Sequence, residues 1–305
     1  ASTQRTNRLL EPLLASGRIP IVTGFIGSDP QGITTTLGRG GSDFSAAILG
    51  AILPASEVWI WTDVDGVMTA DPRLVSNAAT VEMLSYREVA ELAYYGAKVL
   101  HPKTIRPVIE AGIGLRVCNT FNPDHPGTRI VADNPPKPDG VIKAVTAIRG
   151  LTLITLEGRG MLGVPGVAAR TFAAVATTGT SVPLITQASS EQSICFAVPV
   201  EATAAVIEKL KSSFAAEIAS KDIDRVWATD EVGIITVVGA GMQSTPGVAG
   251  RVFSSLGNRQ VNVIAVAQGS SEVSISLVVT AGDMQTAMTT LHDLIVIPAE
   301  TGGKS

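Results

Sequence analysis

The sequence predicts an α/β protein in two parts, a parallel-sheet segment followed by two copies of a βαββαβ module. Three observations carry this reading. A glycine-rich stretch, Gly38-Arg39-Gly40-Gly41-Ser42-Asp43, lies between a strand-like run and an apolar helix. A second strand-like run, Glu57–Trp61, follows that helix and opens into a polar, aspartate-rich loop. From Thr152 onward the chain repeats itself at an offset of 81 residues, Gly158-Arg159-Gly160-Met161 returning as Gly239-Ala240-Gly241-Met242.

Composition sets the outer limits. The 305 residues suit two or three domains, and 45% hydrophobic residues are ample for packed cores. A net charge of −4 provides no basic footprint for nucleic acid or an anionic membrane. Cys118 and Cys195 each sit in an apolar strand-like run and read as reduced thiols rather than a disulfide or metal pair. No run reaches the roughly 18 apolar residues of a membrane helix, and Ala1 starts no signal-peptide pattern. The expectation is a cytoplasmic protein.

Taken in order, Thr6–Ser16 places Leu9, Leu10, Leu13 and Leu14 at helical spacing. Ile19–Ile26 reads as a strand entering the glycine-rich stretch. Gly38, Gly40 and Gly41 allow a sharp turn and close approach of backbone to a ligand. The helix opening at Phe44 would present N–H groups to an anion, Arg39 a planar fork to a carboxylate or phosphate, and Ser42 or Asp43 a cap. A capped helix after a tight turn is the plainer reading. The density of Thr34, Thr35, Thr36, Arg39, Ser42 and Asp43 favours a ligand site. Glu57–Trp61 reads as a buried strand running into Thr62-Asp63-Val64-Asp65-Gly66-Val67-Met68-Thr69-Ala70-Asp71-Pro72-Arg73. That loop is either a solvated turn with Asx hydrogen bonds or a nucleotide contact. In parallel α/β sheets ligands sit beyond the carboxyl ends of the strands, where both polar stretches would lie.

Ser85-Tyr86-Arg87-Glu88 is a capping box. Its helix leads to Gly96-Ala97-Lys98-Val99-Leu100-His101-Pro102, where Lys98 needs an anionic partner unless it snorkels from a helix end. His101 reads as structural. Leu115–Thr120 is a further strand, and Ala132–Gly140 has linker composition.

In the repeat, Pro165-Gly166-Val167-Ala168 returns as Pro246-Gly247-Val248-Ala249, and Gln187-Ala188-Ser189-Ser190-Glu191 as Gln268-Gly269-Ser270-Ser271-Glu272. Each copy reads strand, Pro-Gly-started helix, two strands, helix, strand, the ferredoxin-like order. The turn before each first helix is an anion site suited to an amino-acid carboxylate. Gln187 and Gln268, at the ends of the second strands, either hold a small polar ligand or bond across the sheet.

Together these stretches resemble aspartokinase of the amino-acid kinase family, carried by Thr34–Asp43, Trp61–Arg73 and Gly96–Pro102, followed by tandem ACT domains. The Gln187–Glu191 and Ala267–Glu272 segments look most like those of the bifunctional aspartokinase–homoserine dehydrogenases, in which threonine is the usual effector. The resemblance implies transfer of the ATP γ-phosphate to the β-carboxylate of L-aspartate, in biosynthesis of lysine, threonine and methionine. By family pattern Phe25, Arg39, Gly41, Ser42 and Asp43 line the aspartate site, Arg39 holding the α-carboxylate and Asp43 facing the ammonium. Thr62, Asp63, Met68, Arg73 and Lys98 match nucleotide positions, with Met68 where relatives often carry tyrosine. ATP enters with Mg2+, and no dedicated protein metal site is expected. Met161, Gly166 and Gln187 in the first copy, with Met242, Gly247 and Gln268 in the second, would take threonine or lysine at the interfaces of a homodimer.

The resemblance also implies boundaries: 1–131 as a partial kinase domain, 132–141 as linker, 142–230 and 231–299 as the ACT modules, and 300–305 as a tail. Residues around Lys143–Ile148 would complete the sheet of the second module. The family's early strand, with a lysine and two glycines that hold the transferred phosphate, has no counterpart upstream of Ile19, and no dehydrogenase motif follows residue 300. The chain therefore reads as a fragment, inactive alone, of an aspartate kinase; the alternative is a non-catalytic amino-acid-sensing module.

Overall fold

The computed structural model describes residues 2–38, 40–94, 100, 102–132, 141–188, 191–243, 245–269 and 273–295. The chain divides into two compact units, one of residues 1–146, 238–248 and 292–305, the other of 147–237 and 249–291.

The first unit begins with α1 (Ser2–Ala15), closed by Ser16 bonding back to Leu13 O and by Gly17 at φ 74°. Residues 18–25 are not a strand, contrary to expectation. Ile19 and Ile21 are 91% and 98% exposed, and β-branched residues alone do not make a strand without a neighbour to pair with. Strand character starts only at β1 (Ile26–Ser28), which forms a hairpin with β2 (Thr34–Thr36). Asp29 closes it, its carboxylate accepting from Gln31 N and Ile33 N. Then come α2 (Gly41–Ile52), β3 (Glu57–Thr62), β4 (Met83–Ser85), α3 (Tyr86–Tyr94), α4 (Pro102–Glu110), β5 (Gly114–Asn119) and β6 (Thr128–Val131).

These strands form a four-stranded sheet in the order β3-β5-β6-β4. The parallel pairing expected is present at β3–β5 and β4–β6, while β5 and β6 run antiparallel. The core gathers Ala47, Leu84, Ile105, Val108, Leu115, Val117 and Ile130, none more than 1% exposed. On β3 only Val58 and Ile60 are buried; Trp59 and Trp61 are about half exposed. The strand is therefore half-buried rather than buried, its tryptophans on the open face and Arg116 stacked 5.1 Å from the Trp59 ring.

The repeat is built on β7 (Ala144–Glu157), α5 (Val167–Ala176), β8 (Leu184–Gln187), β9 (Ser193–Pro199), α6 (Thr203–Ser213), α7 (Ala215–Ala219) and β10 (Arg225–Ala228), then β11 (Val232–Val238), α8 (Val248–Asn258), β12 (Ala265–Ala267), β13 (Ser274–Thr280) and α9 (Met284–His292). Its strands form one seven-stranded sheet in the order β12-β13-β11-β7-β9-β8, with β10 on β7. The 14-residue β7 serves both copies. Its carboxyl half pairs with β9 and β10 of the first copy, and β11 of the second copy is its other neighbour. Phe196 lies edge-on to Phe172 at 5.5 Å in the first copy's core, with Ile154, Leu156, Leu210 and Phe214 around it.

Cys118 and Cys195 are both free, Cys118 buried and Cys195 partly so. Among the described residues no helix is long and apolar enough to cross a membrane.

Candidate functional site

The glycine-rich stretch folds as a left-handed turn into a helix. Gly40, at φ 71° and ψ 18°, is the residue before α2 and adopts a conformation that only glycine takes without strain. No side chain caps the helix. Ser42 and Asp43 fall inside its first turn, because the chain turns earlier than a Ser or Asp cap requires. The backbone of Gly24 and Phe25 lies directly over this turn. A Cβ on Gly41 would stand 2.8 Å from Phe25 Cδ2, and one on Gly24 3.2 Å from Ser42 Cα. Phe25 itself has φ 71°, costly for an aromatic residue. Ser45 holds it there: its Oγ accepts from Phe25 N at 3.1 Å and donates to Gly41 O at 2.8 Å. Phe25, Gly41, Ser42 and Asp43 are thus brought together. Arg39 lies outside the described residues. Burial pushes the Asp43 carboxyl above its ordinary pKa, so a cation beside it would relieve a desolvated charge. Ser45 was not anticipated; its only signal is a small polar residue one turn into an apolar helix.

The aspartate-rich loop reaches the same end of the unit. Gly50 packs on Val58, and α2 and β3 are joined by only four residues, 53–56, so the two run antiparallel. From Gly50 back to Gly41 is about 14 Å of helix, and from Val58 to Thr62 about 13 Å of strand. The start of α2 therefore returns to the carboxyl end of β3. There Thr62 pairs in register with Asn119 of the parallel β5, and Thr120 N donates to Thr62 O at 2.8 Å. Thr62 Oγ1 donates to Asp63 at 3.1 Å. Asp65 accepts from the Asn119 and Asn122 amides at 2.8 and 3.1 Å, bonds that hold its carboxyl below the usual range.

Met68 is bridged to Thr80, whose hydroxyl lies 3.7 Å from its sulfur. Arg73 is exposed and forked onto Asp71 at 2.6 Å, within an Asx turn closed by Arg73 N. Part of the loop is thus the solvated Asx turn that was the alternative reading. Thr62, Asp63, Met68 and Arg73 share this loop, and Lys98 and His101 lie outside the described residues. Asn119 and Asn122 were missed, since amides at a strand end read as turn residues. A concavity lined by Ser56, Glu57, Gly114 and Arg129 lies at the opposite, amino ends of β3 and β5, away from every expected residue.

The two repeat turns match in backbone. Gly166 at φ 88° and Gly247 at φ 85° each precede the copy's first helix in the left-handed region. Met161 and Met242 are 4% and 7% exposed, so their side chains pack inward, and Met161 belongs to the first copy's core. Neither is a ligand-facing side chain as expected; the exposed residues of the first turn are Leu162 and Val164. Gln187 and Gln268 are exposed at the ends of β8 and β12, which approach one another. Glu191 accepts from Gly163 N at 3.2 Å, tying the hairpin after Gln187 to the first turn.

Residues 1–119 match the amino acid kinase family, and residues 154–214 and 235–294 match the ACT domain. The bifunctional aspartokinase/homoserine dehydrogenase 2 of Arabidopsis thaliana is 44% identical over 94% of this chain and 32% of its own length. The chain thus spans about a third of that curated relative. The crystal structure of Clostridium acetobutylicum aspartate kinase superposes with TM-score 0.84 at 28% identity, over 95% of this chain and 66% of that one. Escherichia coli aspartokinase III, 33% identical, superposes at 0.74 in its complex with lysine and aspartate, over 97% of this chain and 64% of that one. In its complex with aspartate and ADP the score is 0.71, over 96% and 64%. The chain belongs to the amino acid kinase family in its first part and carries two ACT domains in its second, the arrangement of the aspartokinases.

Proposed function

We propose that the chain serves an aspartate kinase, which transfers the γ-phosphate of ATP to the β-carboxylate of L-aspartate under control of an amino acid bound by the ACT domains. The observation that carries this reading is the return of the Gly41–Asp43 helix start, covered by Phe25, to the carboxyl ends of β3 and β5. Positioning and charge neutralisation are what phosphoryl transfer needs from a protein. The helix start and Arg39 take the α-carboxylate of aspartate, and Asp43 its ammonium. Thr62, Asp63, Met68 and Arg73, with Lys98, serve the nucleotide. Among the described residues no group of three or more His, Cys, Asp or Glu is placed to hold a metal. Mg2+ accordingly enters as the counter-ion of ATP, shielding phosphate charge. The complexes of aspartokinase III with aspartate, ADP and lysine support the ligand classes.

In the ACT domains the effector carboxylate meets the turns at Gly166 and Gly247, and Gln187 or Gln268 holds its side chain, threonine or lysine. Exposed Leu162, Val164 and Ile185 provide an apolar face for a homodimer. The test is titration of the purified chain with L-aspartate and with MgATP, before and after Arg39→Ala. A bidentate charged contact contributes about 1.5–3 kcal/mol, so aspartate affinity falls roughly ten- to a hundredfold. Unchanged aspartate affinity with lost ATP affinity reassigns Arg39 to the nucleotide. The matched glycine turns of the two ACT copies favour one second reading, a module that senses an amino acid without catalysis. Binding of threonine or lysine with no binding of aspartate or ATP selects it.

A further inference from the structure

Glu88 does more than close the cap of α3. Its side chain is fully buried, and three segments donate to it. Ser85 N bonds Oε2 at 2.7 Å within the capping box. Lys143 Nζ, itself 15% exposed, bonds Oε2 at 3.0 Å. Ala240 N bonds Oε1 at 2.7 Å, from the 3-10 turn Ala240–Gln243 that opens the second repeat copy's ligand loop. Lys143 N also donates to Val238 O at 2.8 Å, just before that turn. A buried carboxylate deprived of one such donor is left with an uncompensated charge, so these segments move together or not at all.

A second buried bond joins the same copy to the aspartate-rich loop: Thr69 Oγ1 and His292 Nε2 lie 2.8 Å apart, with Thr69 Oγ1 also accepting from Ala79 N at 2.9 Å. Thr69 stands between Met68 and Arg73, and α3 leads directly to Lys98.

We propose that Glu88 is a positioning residue which transmits occupancy of the second copy's ligand turn to α3, and so to the nucleotide side of the kinase segment. This rests on the effector reading given above. Ligand closing on the turn at Gly239–Gly247 shifts Ala240 N, the Glu88 carboxylate follows its donor, and α3 follows Glu88. The Thr69–His292 bond gives the same copy a hold on the loop that carries Met68 and Arg73.

Hydrogen exchange of the whole chain, with and without saturating threonine or lysine, tests this. Two variants cut the same bond from its two ends. Glu88→Gln removes the charge, and Ala240→Pro removes the N–H at the first position of a 3-10 turn, where proline's fixed φ fits. In the wild type, amides of 240–247 and of 86–94 slow together on adding the effector. In both variants the response at 240–247 persists and the response at 86–94 is lost. A purely structural role would raise exchange at 86–94 without ligand and leave the ligand-dependent change in place, which overturns the proposal. A wild-type response at 240–247 without one at 86–94 also overturns it, while leaving the effector reading intact. No response at 240–247 to either amino acid overturns both.

Discussion

The placement of the site rests on how closely α2 lies on β3, and Gly50 measures that closeness. A Cβ built at Gly50 would stand 2.4 Å from Val58 Cγ2, far inside ordinary contact, and 3.8 Å from Val108 Cγ1. Val58 is 7% exposed and β-branched on a strand, so its methyl has little freedom to rotate away. Two effects of Gly50→Ala oppose each other. Alanine in a helix interior stabilises by about 0.8–1 kcal/mol over glycine, whereas an overpacked methyl costs roughly 1–3 kcal/mol. The net expected change is a loss of about 1 kcal/mol. In a Val58→Ala background the clashing methyls are gone and only the helix term remains. Gly50→Ala is then expected to stabilise by up to about 1 kcal/mol. The quantity to measure is the difference between backgrounds, about 2 kcal/mol with a change of sign, from urea midpoints at equal m-values. If Gly50→Ala stabilises the chain equally in both backgrounds, α2 is free to lift from β3. The argument that returns Gly41 to the level of Thr62 then fails.

Other expectations follow from the same geometry. Asp43→Asn removes a carboxylate whose charge is disfavoured by burial, so the variant is at least as stable as the parent at pH 7 yet binds aspartate more weakly; denaturation and calorimetric titration read the two sides. Ser45→Ala leaves Phe25 N without its acceptor and lowers stability by about 1 kcal/mol, with aspartate affinity falling alongside; unchanged affinity would detach Phe25 from the site. Gln187→Ala and Gln268→Ala each weaken effector binding about tenfold by loss of roughly 1.5 kcal/mol, seen as a smaller ligand-induced rise in Tm. Burial lowers the pKa of His292, so below its unfolded value of about 6.5 the unfolded chain takes up the proton preferentially and stability falls. In His292→Gln this part of the acid slope between pH 7 and 5.5 is expected to vanish from the urea midpoints.

Some of this architecture is legible locally. Gly40, Gly166 and Gly247 occupy left-handed positions that follow from residue type, and an 81-residue self-match needs no tertiary knowledge. What depends on neighbours is not legible. Ile19–Phe25 has strand composition but no strand pairing, and Trp59 and Trp61 look like core residues yet stand on an open face. β7 reads as two strands because its two halves belong to different copies. Asn119 and Asn122 become site residues only because Asp65, more than fifty positions away in sequence, lies within their reach.

Glu88 shows where the boundary falls. Its capping box is readable from Ser85 and Glu88 alone, and both reciprocal bonds are present. The box does not reveal that the carboxylate is buried, but its surroundings do: Leu84, Val89 and Leu92 place apolar side chains before and after it, and each is at most 3% exposed. A cap carboxylate in such a setting cannot be solvated, and two backbone bonds of its own box do not offset the cost of a buried charge. A cation and further donors must therefore arrive from elsewhere in the chain. They do, Lys143 from 55 residues away and Ala240 N from 152. An exposed cap ends a helix, whereas a buried ionised one requires a distant partner. That requirement ties this helix to the turn of the second repeat copy.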